Sequence, residues 1–372
     1  MSTTTRTWKK PTTGVDWFLA ILKIALISVV VVGLLAFVGQ QIDPDNFFAS
    51  AVNKDATRLS WEAIKDLVVS GLSQGAMYGL IALGYSMVYG VLGFINFAHG
   101  EVFMVGAMTG MITSNKLADG GLWESNFVLA IFIAIVVSVV CSTMTAVVME
   151  RVAYRRLRGS PRLIPLITSI GVSFFIQYTS ALLLGPGAKS YPRLPAWLRD
   201  EVAFLGIEGK KIVVLVVAAI AMGSLWYLVE RTKTGKAMRA VAEDKEIASL
   251  MGIDVDRTIV TTFAVGGAMA GVAGILWGIL FGSVTEFTGF LPGIKAFSAA
   301  VVGGIGNLGG AMAGGLTLGS SESLAPQMVL EPLGVTGHTQ LKDAVAFLVL
   351  IFVLLVRPTG LFGERLSSED RA

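Results

Sequence analysis

The residues whose types and spacing could do chemistry are few. Gly304-Ile305-Gly306-Asn307-Leu308-Gly309 fits G-x-G-x-x-G and follows the strand-like run AFSAAVV. In a strand–turn–helix unit that spacing lets a backbone approach a pyrophosphate. GFINFAHGEVFMVGAM holds Asn96, His99 and Glu101 where the surrounding chain is apolar. Lys295 stands alone in PGIKAFSAAVV. Two distant histidines, His99 and His338, and one cysteine, Cys141, leave no set of four ligands for structural zinc and no internal disulfide. No metal, cofactor or catalytic residue is therefore expected. G-x-x-x-x-G-K-[ST], H-E-x-x-H and G-x-S-x-G do not occur, and GPGAKS has Ala188 where a phosphate loop needs its second glycine. Any energy source must be an ion gradient or a separate subunit.

The elements that position these residues belong to a membrane. Hydrophobic residues make up 54% of the 372 and charged residues 15%, against roughly 25% charged in soluble domains. A formal charge of +3 is too small to suggest a nucleic-acid partner. A spanning helix needs about 20 apolar residues. Candidate spans run over Trp17–Gly39, Leu67–Tyr89, Ala98–Ile112, Phe127–Val148, Leu163–Leu184, Ile212–Val229, Ile259–Phe281 and Ala344–Val356. Ile294–Leu324 is apolar but interrupted by GGIGNLGG. The predicted fold is an all-α polytopic membrane protein of about eight full transmembrane helices plus a glycine-broken hairpin of two short helices.

Basic connections orient these spans. RVAYRRLRGSPR supplies five arginines, and the connection from Arg231 to Arg257 supplies six more basic residues. Placing both in the cytoplasm puts both termini there as well, with 17 basic residues inside, 11 outside and Lys23 within the first span. Lys210 and Lys211 fall outside and count against the bias. The first span is long and lacks a clear A-x-A cleavage site, so it reads as a retained anchor rather than a signal peptide. The hairpin then enters from outside and returns there.

Glycines recur every four residues as Gly71, Gly75 and Gly79, as Gly274, Gly278 and Gly282 with Gly267 and Gly271 upstream, and as Gly306, Gly310 and Gly314. Such rows let helices pack closely in lipid, and they also suit helices that slide during transport. With membrane-length flanks, G-x-G-x-x-G reads as a hairpin turn, with Asn307 satisfying backbone groups at its tip. Asn96, His99 and Glu101 fit two placements. One is the cytoplasmic boundary, satisfied by water and head groups. The other is a broken helix lining a translocation route, as intramembrane polar groups tend to do. Lys295 either snorkels to the outer interface or faces that route. Lys342 and Asp343 read as an interfacial pair, and Glu286 and Glu322 as helix-end residues without a role.

The connection TGKAMRAVAEDKEIASLMGIDVDR is long and patterned. Ala237, Met238, Val241, Ile247, Leu250 and Met251 mark amphipathic helical turns, a surface for a cytoplasmic partner. Within it, Glu246 to Gly252 fits E-x-A-x-x-x-G, with a small Ala248 for close docking and Gly252 to end the helix.

Four blocks together resemble the permeases of branched-chain amino-acid ABC transporters, and most of all the smaller of their two permease subunits. They are YGLIALGYSMVYGVLGFINFAHGEVFMVGA, GKAMRAVAEDKEIASLMGIDVDRTI, GIKAFSAAVVGGIGNLGGAMAGG and VLLVRPTGLFG. The resemblance runs from about Leu67 to Gly363. It implies a bacterial inner-membrane importer in which a periplasmic binding protein feeds two permease subunits and two cytoplasmic ATPases drive the cycle. It also implies a branched-chain or related small amino acid as substrate, although related permeases carry urea, short amides or other amino acids. The E-A-A-x-x-x-G loop of such importers docks in a groove of the ATPase. Here that role falls on Glu246, Ala248 and Gly252 in a loop that also carries Glu243 and Asp244, with Ile247 where the motif has alanine. The implied organisation is an added anchor segment at 1–60, which shorter members lack, a permease domain at 61–363 with its coupling loop at 231–257, and a tail at 364–372. A gradient-driven secondary transporter, coupling an ion through the Asn96–Glu101 and Lys295 regions, is the competing reading.

Overall fold

A computed structural model describes residues 14–42, 59–161, 163–202 and 206–363. Of the basic residues expected on the cytoplasmic side near the ends of the chain, Arg6, Lys9, Lys10, Arg365 and Arg371 lie outside the described residues, as do most of the polar segment before residue 60 and the tail at 364–372. The chain is all-α. Strand pairing among the described residues is confined to Lys189–Ser190 with Ser283–Val284 and Glu201–Val202 with Ile207–Glu208.

The principal helices are α1 (Gly14–Ile42), α2 (Trp61–Leu92), α3 (His99–Asp119), α4 (Phe127–Met149), α5 (Leu163–Leu184), α6 (Gly209–Arg231), α7 (Lys233–Glu243), α8 (Lys245–Leu250), α9 (Val255–Phe281), α10 (Phe290–Gly303), α11 (Leu308–Ala325) and α12 (Lys342–Val356). Local chemistry sets several ends. Ser60 caps α2 by accepting from the Ala63 N–H at 3.1 Å. Asp254 caps α9 through the Arg257 N–H at 2.9 Å. Each satisfies a donor that a helix start leaves free.

Seven helices among the described residues are long and apolar enough to cross a bilayer. The sequence predicts eight. The remaining one, α3, has the length, 21 residues, but not the apolarity. It lies against α2, α4 and α9, so most of its surface meets protein rather than lipid and need not be apolar. α2 and α9 are the enclosed helices of the bundle, whereas α1 and α5 turn most of their surface outward. α2 packs on α6, α9, α10 and α11, and α9 packs on α3 and α4.

The broken hairpin forms from α10 and α11, but only its first arm is short. At 1.5 Å per residue α10 is about 21 Å long, short of the ~30 Å hydrocarbon core. By contrast α11, about 27 Å by itself, continues without a break as a π-helical turn over Pro326–Leu330, which carries that arm past the thickness of the core. Their turn is fixed by the segment after α12: Leu361 N–H donates to Val302 C=O at 2.8 Å and Phe362 N–H to Gly303 C=O at 2.9 Å. The two basic connections meet at one end of the bundle. Arg155 pairs with Asp256 at 2.9 Å, and Arg158 joins Asp256 to Glu150.

Candidate functional site

At that same end, the connection between α6 and α9 folds into two short helices. Thr232 caps α7 through the Gly235 N–H. Asp244 breaks the helix and caps α8, accepting from the Glu246 and Ile247 N–H groups at 2.8 and 3.0 Å. Gly252 ends it at φ 83, where a side chain would be strained. Met238, Val241 and Ala248 are buried against the bundle. Ile247, Leu250 and Met251 point away from it, 59, 86 and 78% exposed. The amphipathic pattern thus divides between two helices, and the second keeps an apolar face without a partner among the described residues. Glu243, Asp244, Lys245 and Glu246 face Gly90–Gly93 across a cavity of about 440 Å³. Burial, with Arg158 nearby, holds the Lys245 ammonium below its usual range.

Asn96, His99 and Glu101 are not at a wetted boundary: they are 2, 2 and 1% exposed. The His99 ring lies against Gly84 and Gly266. Those glycines are eight residues before the end of α2 and eleven after the start of α9, or about 12 and 17 Å of helix rise. Enclosing helices supply the partners that water or head groups would have supplied. Asn96 Oδ1 accepts from the Tyr154 hydroxyl at 2.6 Å and the Ala98 N–H at 3.1 Å. Glu101 Oε1 accepts from Gln177 Nε2 at 2.6 Å and the Ser173 hydroxyl at 3.1 Å, both on α5. His99 meets the edge of the Tyr85 ring, with 5.0 Å between centroids. Asn96 Nδ2, His99 Nε2 and Glu101 Oε2 are buried without a partner among the described residues. Ser173 and Gln177, four residues apart on a predicted span, were the signal available in the sequence for a polar stripe on α5.

Lys295 does not snorkel. It is 4% exposed, and its Nζ lies 2.6 Å from Glu322 Oε1 and 2.5 Å from Asp343 Oδ1. The Tyr78 hydroxyl is 3.4 Å away. Desolvating an isolated ammonium is costly, and an ion pair offsets that only when its geometry is good. Asp343 therefore pairs with Lys295 rather than with Lys342, and Glu322, given no role by the sequence, is the inner partner. Asn307 is exposed in the hairpin turn, where its Oδ1 caps α11 through the Gly310 N–H at 2.9 Å and its Nδ2 donates to Phe362 C=O at 3.1 Å.

The glycine rows divide by what they touch. Gly71 and Gly75 meet the α11 backbone, Gly79 approaches Met312 more loosely, Gly274 meets α3, and Gly310 and Gly314 close α10 on α11. Gly306 is not on a helix face but in the turn, at φ 92 and in open space, because α11 begins only at Leu308. Gly278 faces a ring rather than a helix: Tyr191, from the loop after α5, fills the groove there and donates to Ala107 C=O at 2.5 Å.

Comparison with known proteins gives a consistent result. The family model described as Branched-chain amino acid transport system / permease component matches residues 67–354, leaving α1 outside it. The chain is 42% identical over 304 residues to the high-affinity branched-chain amino acid transport system permease protein BraD of Pseudomonas aeruginosa, covering 80% of this chain and 95% of that one. It is 41% identical to LivH of Escherichia coli over 299 residues, with 79% and 94% covered. A probable LivH of Methanocaldococcus jannaschii is 28% identical over 305 residues, with 81% and 94% covered.

Proposed function

The chain belongs to the permease-component family of branched-chain amino acid transport systems, and from that premise we propose that it is one permease subunit of a binding-protein-dependent ABC importer. It carries branched-chain or related small amino acids into the cytoplasm of a bacterial cell across the inner membrane. A second permease subunit completes the pathway, two cytoplasmic ATP-binding subunits drive it, and a periplasmic binding protein delivers substrate. On this reading the α7–α8 end faces the cytoplasm with both termini, and residues 231–257 transmit the motion of the ATPases.

The observation that carries the proposal is the α7–α8 connector. Met238, Val241 and Ala248 fix it to the bundle while Ile247, Leu250 and Met251 stand out as an apolar face. ATP binding that closes the partner subunits would push on this rigid lever and bias the bundle between inward- and outward-open states. Such a bias requires the partners to bind the two states differently.

The test is Gly252→Arg in the complete transporter. Membrane insertion is expected to be normal, with ATPase activity uncoupled from uptake. Normal uptake would remove the docking role. Affinity purification supplies the broader check: co-purified ATPases and a second permease support the reading, whereas a lone homo-oligomer that moves substrate down a gradient in liposomes overturns it.

A further inference from the structure

At the end of the bundle opposite the connector, a cavity of about 490 Å³ opens between α2, α9, α10, α11 and α12. That volume is in the range of small-molecule sites. Its lining has two chemical halves. Trp277, Phe281 and Leu291 form an apolar wall, with the Trp277 and Phe281 rings 4.1 Å apart. The other half is charged: Lys295, Glu322, Lys342 and Asp343.

The charges are not arranged as two closed pairs. Lys295 sits between both carboxylates, 2.6 Å from Glu322 and 2.5 Å from Asp343. That group of three carries one excess negative charge. Glu322 Oε1 accepts from Lys295 and, at 3.1 Å, from Gln74 Nε2, yet its Oε2 is buried with no donor among the described residues. A buried carboxylate oxygen without a donor is costly, and a ligand ammonium would satisfy it. Asp343 keeps half its side chain exposed, so it can reach the same ligand. Lys342 makes no ion pair among the described residues and is exposed. It offers a free ammonium one residue from Asp343. The lining therefore presents an excess anion, a separate cation and an aromatic wall, complementary to a zwitterion with an apolar side chain.

We propose that this cavity is a binding site for a free α-amino acid within the permease itself. Glu322 and Asp343 hold the α-ammonium, Lys342 the α-carboxylate, and Trp277 with Phe281 the side chain. Lys295 acts as a positioning residue, orienting both carboxylates. The assignment rests on the functional reading above and adds to it a station on the route where substrate is held after leaving the binding protein.

The test uses the complete transporter, purified and reconstituted, with L-leucine as probe. Equilibrium binding of radiolabelled L-leucine is measured without the binding protein, and uptake is measured with it. Wild-type complex is expected to bind L-leucine. Leucine amide, which lacks the carboxylate, and 4-methylpentanoate, which lacks the ammonium, are expected not to compete. Asp343→Asn and Lys342→Gln are each expected to weaken binding about tenfold, the effect of losing one charged contact worth ~1.4 kcal/mol. Both positions are exposed, so these variants test the site even if Glu322→Gln, in the buried pair, fails to fold. Wild-type affinity in both variants, or no binding by a complex that imports leucine, overturns the site and leaves the importer reading intact. A complex that does not import leucine or another apolar amino acid overturns both.

Discussion

Substituting Gly75 by alanine is expected to unseat α11 from α2, whereas the same change at Gly79, one turn further along α2, is expected to be tolerated. A Cβ on Gly75 would lie 2.8 Å from the Gly315 carbonyl oxygen and 2.9 Å from Leu316 Cα. Both are backbone atoms, so neither can rotate out of the way. At Gly79 the nearest atom, Met312 O, is 3.6 Å away, an ordinary contact. Relieving the Gly75 clash requires the helices to part by roughly half an ångström. A gap of about 0.5–1 Å forfeits a quarter to a half of each dispersion contact along the seam. Overpacking of this kind costs about 1–3 kcal/mol, and at roughly 2–4 °C per kcal/mol for a domain of some 150–250 residues the midpoint should fall by several degrees. The assay is thermal unfolding of the purified transporter followed by fluorescence-detected size exclusion, with membrane insertion checked first. An unchanged midpoint for Gly75→Ala refutes the close-packed seam, as does an equal fall for Gly79→Ala.

Two further substitutions test buried polar groups. Arg158→Ala removes the partner of Glu150, a fully buried carboxylate, and is expected to cost about 3–5 kcal/mol. Arg155→Ala breaks a pair whose side chains are half exposed and is expected to cost at most about 1 kcal/mol; chemical denaturation of the two variants should separate them clearly. Gln177→Leu takes one of two donors from Glu101 Oε1 and is expected to lower stability by about 1–3 kcal/mol, so a thermal midpoint equal to wild type would show that this bond contributes little.

How much was legible depended on the range of the forces involved. The end of α8 was readable because Gly252 acts on neighbours within a turn, whereas apolar length alone placed the starts of α2 and α9 at Leu67 and Ile259, inside the true starts that Ser60 and Asp254 cap. The hairpin was readable because GGIGNLGG interrupts an apolar run too short to cross twice. The placement of Lys295 was not: its partners, Glu322 and Asp343, lie on other helices, and nothing in a one-dimensional pattern distinguishes a snorkelling lysine from a paired one. The same holds for Glu101, whose donors are 72 and 76 residues away. Gly278 looked like a helix-packing glycine because it belongs to a four-residue row, yet the atom group it admits is Tyr191, 87 residues earlier in the chain.

The sequence by itself determined that this is an all-α membrane protein, where most of its helices run, and that residues 231–257 form a patterned connector. Those properties follow from apolar length and local capping, which each segment carries alone. Only the tertiary structure decided which polar groups are buried and what satisfies them. Burial is a property of neighbouring helices, and in this bundle those neighbours turn isolated charges into a paired cluster and a row of glycines into contacts of different kinds.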